Sequence, residues 1–278
     1  EAKVGIIKDF DNVWDARQDK WHSRVDSVSQ KSLFYALELA HVPFDYVYIE
    51  DDTTLKKLLK YEVLFYPHAL ILTKKRMELL TRYVEQGGKL VMGCRTGYKD
   101  LNGRCVMDTL PGLASKLTGT DIPEYSFVAP DEGRVEVDWD GQKIEAAVFN
   151  DLLSPVGENA MVLAVYDSSY YKGTPALICN SYGKGEAYYF GGAFALDTAK
   201  VFIEKLGLAE PYEDTVSLQE GCELAVRVKE GRKYFFLLNY LKEEAEIVEA
   251  WDLLEVHRVE KDSRLTLAGY GVKILRVE

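Results

Sequence analysis

The chain has 278 residues, which is enough for two domains at roughly 100–200 residues each. Apolar residues make up 47% and charged residues 28%, which is typical of a globular protein and excludes a disordered or fibrous one. The 34 basic and 45 acidic side chains give a net charge of −11, and the sequence shows no basic stripe. We therefore expect no nucleic acid partner and no binding to an anionic membrane surface.

Cysteine and histidine usage gives no sign of a metal site or a disulfide framework. The four cysteines include no C-x-x-C pair, and the four histidines are scattered without an H-E-x-x-H pattern. The longest apolar run, 63–72, is interrupted by Pro67 and His68 and is far shorter than the ~20 residues of a membrane span. We expect reduced thiols, no cofactor, no metal and no membrane segment.

The first half of the sequence alternates strand and helix patterns. Apolar residues at helical spacing over 33–40 predict a helix with its N-cap near Ser27 or Ser29. Thr73 is a good N-cap for another helix that Gly87-Gly88 would end. Apolar runs predict strands at 3–7, 44–49, 63–66 and 89–92, and a short helix pattern covers 54–60. Strands separated by helices indicate a flavodoxin-like α/β layout, with a parallel sheet and helices on both faces.

Beyond about residue 120 the pattern changes to short strands and turns. The predicted strands are 126–128, 134–137, 162–166, 176–179 and 186–190, with a hairpin turn at Gly183 and Gly185 and a helix over 196–206. Pro211 marks a linker, after which the predicted strands are 224–228, 234–238, 245–248, 254–259, 264–267 and 272–277. We predict an α/β domain over 1–210 and a small β-sandwich over 211–278.

Ligands of an open parallel sheet bind beyond the carboxyl ends of its strands. Three segments follow those ends here: a long loop predicted over 8–24, the segment that begins at Pro67-His68, and the loop 94–104. The first contains Trp14 and Trp21, which are two of the four tryptophans. These indoles could stack on a sugar, bind a protein partner, or cover their own sheet.

Cys94 follows a predicted strand, as the nucleophile does in class I glutamine amidotransferases, which share this type of sheet. Their elbow requires G-x-C-x-G, but Met92 and Thr96 occupy the glycine positions. No His lies between His68 and His257 to accept the thiol proton. We therefore interpret Cys94 as a buried small residue, and a hydrolase that uses Cys94 is the alternative.

Several segments resemble one known family. They are VGIIKDFDNVWDA at 4–16, YEVLFYPHALILT at 61–73, EQGGKLVMGCRTGYKDLNGR at 85–104 and PALICNSYGKGEAYYFG at 175–191. In this order they resemble the β-galactosidase trimerisation domain of glycoside hydrolase family 42, whose sheet is amidotransferase-like. The tail, with FFLLNY at 235–240 and a YGVKIL ending, resembles the small C-terminal β-domain of the same family.

The resemblance implies a supporting role. In that family an N-terminal (β/α)₈ barrel hydrolyses terminal β-galactosides with retention, using two glutamates about 5–5.5 Å apart, and the acid/base Glu follows an Asn. None of the six asparagines here is followed by Glu, and there is no room for a barrel of ~250 residues, so no catalytic residue is assigned. The sequence also lacks a starting Met. We expect the C-terminal part of a cytoplasmic, bacterial β-galactosidase that is inactive by itself.

The resemblance also implies a homotrimer, formed through the amidotransferase-like domain and the missing barrel, with loops that wall the active-site bowl. A galactoside would bind only to the full-length protein. The residues that we place at this interface or rim are Asp11, Trp14, Arg17, Trp21, His22, His68, Arg95, Lys99 and Asp100. A free-standing sugar-binding module that uses Trp14 and Trp21 is the second alternative.

Overall fold

The computed structural model describes residues 2–129, 131–248 and 264–277. They divide into two compact units. The sheet unit contains residues 4–33 and 45–199, and the C-terminal unit contains the described residues before 4, from 34 to 44 and from 200 onward. Within the described residues no helix is both long and apolar enough to span a bilayer. The predicted domain boundary near Pro211 stays a prediction.

A ten-stranded sheet with the order β12-β7-β6-β9-β10-β11-β4-β3-β1-β2 dominates the sheet unit, and β5 and β8 pair separately. In chain order these strands are β1 (Val4–Lys8), β2 (Phe44–Tyr48), β3 (Val63–Tyr66), β4 (Lys89–Gly93), β5 (Thr120–Phe127), β6 (Glu136–Trp139), β7 (Gln142–Ala147), β8 (Phe149–Pro155), β9 (Ala160–Tyr166), β10 (Pro175–Tyr182), β11 (Gly185–Phe190) and β12 (Ala193–Phe194). The helices are α1 (Phe10–Asp15), α2 (Lys20–Leu39), α3 (Leu55–Leu58), α4 (Lys74–Glu85), α5 (Ser115–Thr118) and α6 (Leu196–Lys205), with a 3₁₀ turn at Gly112–Ala114.

Strand β11 joins two kinds of sheet. Tyr188 on β11 lies opposite Val91 in a parallel pairing with β4 and opposite Cys179 in an antiparallel pairing with β10. From β11 through β4 and β3 to β1 the strands are parallel, whereas from β11 through β10, β9, β6 and β7 to β12 they are antiparallel. The predicted α/β class is confirmed, but the sheet, which was predicted to be parallel, is only partly parallel.

Helix α4 begins as predicted, whereas α2 does not. The Oγ1 atom of Thr73 accepts a hydrogen bond from Arg76 N at 3.1 Å. Helix α2 already begins at Lys20, well before the predicted cap at Ser27 or Ser29, which was wrong. Asp19 caps it instead, since Asp19 Oδ1 accepts hydrogen bonds from the backbone N–H groups of Trp21 and His22, both at 3.0 Å.

The core of the sheet unit explains the continuous apolar runs of the sequence. All four residues of β3 are buried, and all of β4 is buried except Lys89. A strand covered on both faces requires apolar side chains at successive positions rather than at alternate ones. The core side chains from the strands and from α4 include Ile7, Leu64, Tyr66, Leu80, Tyr83, Leu90, Met92 and Ile178.

The C-terminal unit contains residues 34–39 of α2 and two three-stranded antiparallel sheets. One sheet consists of β13 (Ser217–Leu218), β16 (Ala245–Val248) and β17 (Arg264–Leu267), and the other of β14 (Cys222–Lys229), β15 (Arg232–Asn239) and β18 (Val272–Val277). Side chains from both sheets share one core: Val216, Cys222, Leu224, Val226, Phe235, Leu237, Ala245, Leu267 and Leu275. The predicted strand 254–259 lies outside the described residues.

Candidate functional site

The candidate site lies at the carboxyl edge of the parallel strands, where β1, β3 and β4 end. The segment 8–24 was predicted as one loop, but most of it is helical. Asp9 begins α1 by accepting a hydrogen bond on its Oδ1 from Asp11 N at 2.9 Å, and Asp19 begins α2. The loop prediction was wrong because these two aspartates are helix caps, so the acidic residues around them mark two helix starts.

Asp11 belongs to a group of polar residues that we call the Arg76 cluster: Asp9, Asp11, Asn12, Tyr66 and Arg76. The Arg76 guanidinium donates from Nη1 to Asp9 Oδ2 at 2.7 Å and from Nη2 to Asp11 Oδ2 at 2.5 Å. Tyr66 donates its hydroxyl to Asp9 Oδ2 at 2.5 Å, and Asn12 donates to the same oxygen at 2.9 Å. The cluster therefore ties α1 to β3 and to the start of α4.

Burial governs the charges of the Arg76 cluster. It raises the pKa of Asp9, although the hydrogen bond from Tyr66 and the charge of Arg76 act in the opposite direction. Burial opposes the charge of Arg76 as well, but the carboxylates of Asp11 and Asp9 raise its pKa above the usual value. A buried guanidinium that has lost one of these carboxylates would be strongly destabilising. The Arg76 cluster is thus a structural clamp.

Arg95 and Lys99 meet at a second group, the Asp19 cluster, which consists of Asp15, Asp19, Arg95 and Lys99. Arg95 donates to both oxygens of Asp19, at 3.2 and 2.8 Å. Lys99 donates to Asp19 Oδ2 at 3.0 Å and to Asp15 Oδ2 at 2.9 Å. Of the predicted rim residues, Arg95 and Lys99 are therefore brought together at Asp19, whereas the Oδ1 atom of Asp100 accepts from the backbone N–H groups of Asn102 and Arg104.

The Asp19 cluster keeps a carboxylate ionised at the start of α2. Burial tends to raise the pKa of Asp19, but hydrogen bonds from Arg95, His22 N and Lys99 outweigh it and hold that pKa well below the usual value. Arg95 adopts a left-handed backbone conformation with φ 63°. Its side chain also lies over the Phe149 ring, 5.1 Å from the centroid. The cluster fixes the 94–104 loop against α2.

His68 lies beside Cys94, a proximity that the sequence separation conceals. The Cys94 carbonyl oxygen can only accept a hydrogen bond, so His68 Nδ1 carries the ring proton and donates it to Cys94 O at 2.8 Å. In the neutral ring His68 Nε2 is then the acceptor for the Ser29 hydroxyl, 2.7 Å away, and Ser29 Oγ itself accepts from Phe194 N at 2.8 Å. The Cys94 Sγ atom is 3.7 Å from the same Nδ1.

This arrangement is unsuited to thiol activation. The only His68 nitrogen near Cys94 already carries a proton, so it cannot accept one from the thiol. Burial lowers the pKa of His68 to about 3, and burial together with the charge of Asp151 raises the pKa of Cys94 well above its usual value. The prediction that Cys94 is buried is confirmed. Its surroundings disfavour the alternative of a hydrolase that uses Cys94.

Asp151 is a fully buried carboxyl group that the sequence analysis missed. Tyr98 donates its hydroxyl to Oδ1 at 2.6 Å, and Oδ2 accepts from the Tyr189 hydroxyl at 2.8 Å and from Arg95 N at 2.9 Å. Burial raises the pKa of Asp151 to about 6, against the effect of these three hydrogen bonds. Asp151 thereby joins the 94–104 loop to β8 and β11.

His22 is buried like His68, but its ring has different surroundings. Among the described residues neither ring nitrogen of His22 has a hydrogen-bond partner. Burial and the charge of Arg95 lower its pKa to about 4, so the ring is neutral at pH 7. The His22 ring thus lies beside the Asp19 cluster without a hydrogen bond to it, although the backbone N–H of His22 donates to Asp19 Oδ1.

The two loop tryptophans belong to different aromatic groups. Trp14, on α1, is 58% exposed and lies 6.0 Å from the Phe10 ring. Trp21 is half-buried, with the Phe127 ring 4.6 Å and the Arg24 guanidinium 4.8 Å away. Arg17 is exposed between them along the chain. Of the predicted rim residues, Trp14 and Arg17 are therefore open to a partner, whereas His22, His68 and Arg95 are buried.

The polar side chains at this edge of the sheet are held by hydrogen bonds and ion pairs and serve a structural role. Asp9, Asp19 and Asp151 each accept several hydrogen bonds, so none is left free to act as a general base. Across the described residues no three His, Cys, Asp or Glu side chains are grouped so that they could hold a metal ion. Asp19, Asp151 and Arg76 were all missed from the sequence. Only Asp19 carried a signal there, as an N-cap two residues before Trp21.

The fold defines a mixed α/β unit with a partly parallel central sheet and a small antiparallel β unit. Residues 2–210 match the family described as the β-galactosidase trimerisation domain, and residues 221–277 match the β-galactosidase C-terminal domain. The chain therefore belongs to glycoside hydrolase family 42, and the resemblance stated from the sequence is confirmed. The two matched domains cover almost the whole chain, and the catalytic barrel is not among them.

Similar proteins agree with this assignment. The β-galactosidase Pbg of Clostridium perfringens is 30% identical over 99% of this chain and 41% of its own length. The β-galactosidase LacZ of Lactobacillus acidophilus is 25% identical over the same two shares, 99% and 41%. The solved structure of Gan42B, a family 42 β-galactosidase, superposes with a TM-score of 0.86 at 22% identity, over 100% of this chain and 40% of that chain. This chain thus spans about 41% of the length of the curated relatives it matches.

Proposed function

We propose that this chain is the assembly part of a β-galactosidase, which holds three copies of the enzyme together and walls the bowl onto which their active sites open. The trimerisation domain of this family implies homo-oligomeric assembly. We propose more specifically that the oligomer is a homotrimer, built through this domain together with a catalytic barrel. The whole protein would hydrolyse terminal β-galactosides in the cytoplasm, and this chain would contribute no catalytic residue.

The observation that carries the proposal is an aromatic surface formed by α1 and β2, which we call the α1 surface: Phe10, Trp14, Tyr46 and Tyr48. Phe10 stacks on Tyr48 with ring centroids 5.4 Å apart and also contacts Trp14. The exposed fractions are 46% for Phe10, 58% for Trp14 and 49% for Tyr48. Several large aromatic side chains open to solvent at one place are typical of a protein–protein interface.

The contacts that hold α1 in place are suited to this role. The Arg76 cluster fixes the first turn of α1, and Lys99 holds Asp15 at its last residue. A helix held at both ends presents its aromatic side chains with little loss of conformational entropy on binding. An interface anchor on such a helix contributes more affinity than the same residue on a mobile loop.

Light scattering over a concentration series tests the proposal. We expect the chain to form oligomers, and Trp14→Ala to raise the dissociation constant by about 30-fold or more, which corresponds to a hot-spot loss of about 2 kcal/mol. The control is Tyr270→Asn, which removes an exposed aromatic residue of the C-terminal unit, where Asn tolerates the positive φ. A chain that stays monomeric at every concentration would contradict the proposal.

A sugar-binding module is the second candidate, favoured by the exposed Trp14 indole with Phe10 beside it. An exposed aromatic face of this kind can stack on a pyranose ring. Titration of tryptophan fluorescence with lactose distinguishes the two candidates. A saturable change that Trp14→Ala removes would support sugar binding, and a flat response would contradict it.

A further inference from the structure

The C-terminal unit contains a groove of 310 Å³ between the end of α2 and the β-strands. Its walls are Phe34, Tyr35, Glu38 and Leu39 on the helix and Gly221, Cys222, Glu223 and Tyr240 on the other side. Tyr35 is 55% and Tyr240 60% exposed, so aromatic rings stand open at the groove. The groove is thus a mainly apolar depression with aromatic walls and two carboxyl groups.

The two carboxyl groups give the groove its chemical character. Glu223 accepts a hydrogen bond from the Tyr240 hydroxyl at 2.5 Å. Burial, together with the like charge of Glu223, raises the pKa of Glu38 to about 7. Among the described residues neither carboxylate forms an ion pair with Lys, Arg or His.

Two carboxylates at an apolar wall without a cation are electrostatically unfavourable. Burial and the charge of Glu223 both raise the free energy of the ionised Glu38 side chain. A cation that entered the groove would relieve both effects at once. Its stem would have to be apolar to fit against Phe34, Leu39 and Cys222, and its head would lie near the faces of Tyr35 and Tyr240.

We propose that this groove receives a lysine or arginine side chain from a second copy of this chain. Both side chains combine an apolar stem with a charged head, which matches the lining and the charge of the groove. The choice of a second copy rests on the proposed function, because the trimerisation domain implies assembly with identical chains. Each chain also has exposed basic side chains, such as Arg17 and Lys20, that could enter the groove of a neighbour.

The first test compares association constants by analytical ultracentrifugation at pH 8. We expect Glu38→Gln/Glu223→Gln to weaken association about tenfold or more, because it removes both charges that face the cation. The control is Glu213→Gln/Glu243→Gln, which changes the net charge equally at exposed positions outside the groove. Glu38→Gln alone serves as a milder variant, and circular dichroism checks that each variant is folded.

The outcomes separate this proposal from the proposed function. If the wild type stays monomeric, the proposed function fails, and the second copy as occupant fails with it. If the wild type assembles and the groove variant associates as tightly as the control, this inference alone is overturned. Association of the wild type should also weaken between pH 8 and pH 6, since Glu38 becomes protonated. Glu223 and the Tyr240 hydroxyl are the groups that face it, and the pKa of Tyr240 is raised to about 12, so Tyr240 keeps its proton.

A small-molecule competitor supplies the second test. n-Butylguanidinium has the stem and head of arginine, and n-butylurea is its uncharged counterpart. We expect n-butylguanidinium at millimolar concentration to dissociate the wild-type assembly and n-butylurea to have no effect. If n-butylguanidinium binds the groove in a calorimetric titration but leaves the assembly unchanged, the occupant is not a second copy and the proposal is overturned.

Discussion

Carboxyl groups are shielded from water at the carboxyl edge of the sheet unit and, in part, in the groove of the C-terminal unit, but their surroundings differ. At the edge, Asp151 accepts three hydrogen bonds from its own chain, and Asp19 is surrounded by Arg95 and Lys99. In the groove, the charge that acts on Glu38 is that of another carboxylate, Glu223, and it raises the pKa of Glu38. The carboxylates of the edge thus have donors and cations within the chain, whereas the described lining of the groove includes no Lys, Arg or His.

The largest expected effect is at Asp151. Asp151→Ala leaves the hydroxyls of Tyr98 and Tyr189 and the Arg95 N–H buried without an acceptor, which should lower the free energy of unfolding by about 3–5 kcal/mol. Urea unfolding at pH 7 measures it. Asp138→Ala is the control, because the Asp138 side chain is partly exposed and pairs with the exposed Lys143. If both variants lose the same free energy of unfolding, the buried hydrogen bonds of Asp151 contribute no more than a surface ion pair, and the prediction is wrong.

The two buried histidines of the edge allow a finer comparison. His68→Leu deprives the Ser29 hydroxyl and the Cys94 carbonyl of their partner, so we expect a loss of about 2–3 kcal/mol at pH 7. His22→Leu removes a ring without hydrogen bonds among the described residues and should change the unfolding free energy by less than about 1 kcal/mol. The same urea titration measures both variants. A larger loss of unfolding free energy for His22→Leu than for His68→Leu would contradict this comparison.

A pH series extends this test. The pKa of His22 is about 4 in the folded chain and near 6.5 when unfolded, so between these values the unfolded chain binds more protons. Stability must then fall as the pH is lowered from about 6.5 towards 4, and at pH 5 His22 should contribute about 2 kcal/mol of that loss. His22→Leu should reduce the fall by that amount, and an unchanged slope would contradict the neutral buried ring.

The smallest effect is expected in the groove, and it has the opposite sign. Glu38→Gln removes the repulsion by Glu223, so in the monomeric chain at pH 8 it should raise the free energy of unfolding by about 0.5 kcal/mol, a value kept small because Glu38 is only half-buried. Thermal unfolding of dilute protein measures the change, with Glu213→Gln as the control. A decrease would mean that the carboxylate already has a stabilising partner within the chain.

The sequence predicted well what depends on local pattern. The continuous apolar runs of β3 and β4, the Thr73 cap of α4 and the hairpin turn between β10 and β11 are all properties of neighbouring residues, and they are confirmed. The same local interpretation failed at 8–24. There, two cap aspartates within an acidic stretch resembled a solvated loop.

The parts that the sequence could not predict depend on contacts between distant residues. His68 and Cys94 are in hydrogen-bond contact although they are 26 positions apart, and Arg95 meets Asp19 across 76 positions. Asp151 has no local pattern at all, because its donors come from β11 and the 94–104 loop. The antiparallel extension of the sheet escaped prediction for the same reason, since strand periodicity does not specify which neighbour a strand pairs with.

The position of β11 has a consequence for how this chain folds. Its parallel neighbour β4 precedes it by a long stretch of sequence, so the two halves of the sheet join only after a large loop has closed. Until then the backbone amides and carbonyls of β4 form an open edge that can pair with another chain. During synthesis the apolar strand β4 emerges well before its partner. The interval before β11 arrives is therefore when the nascent chain is most exposed to aggregation.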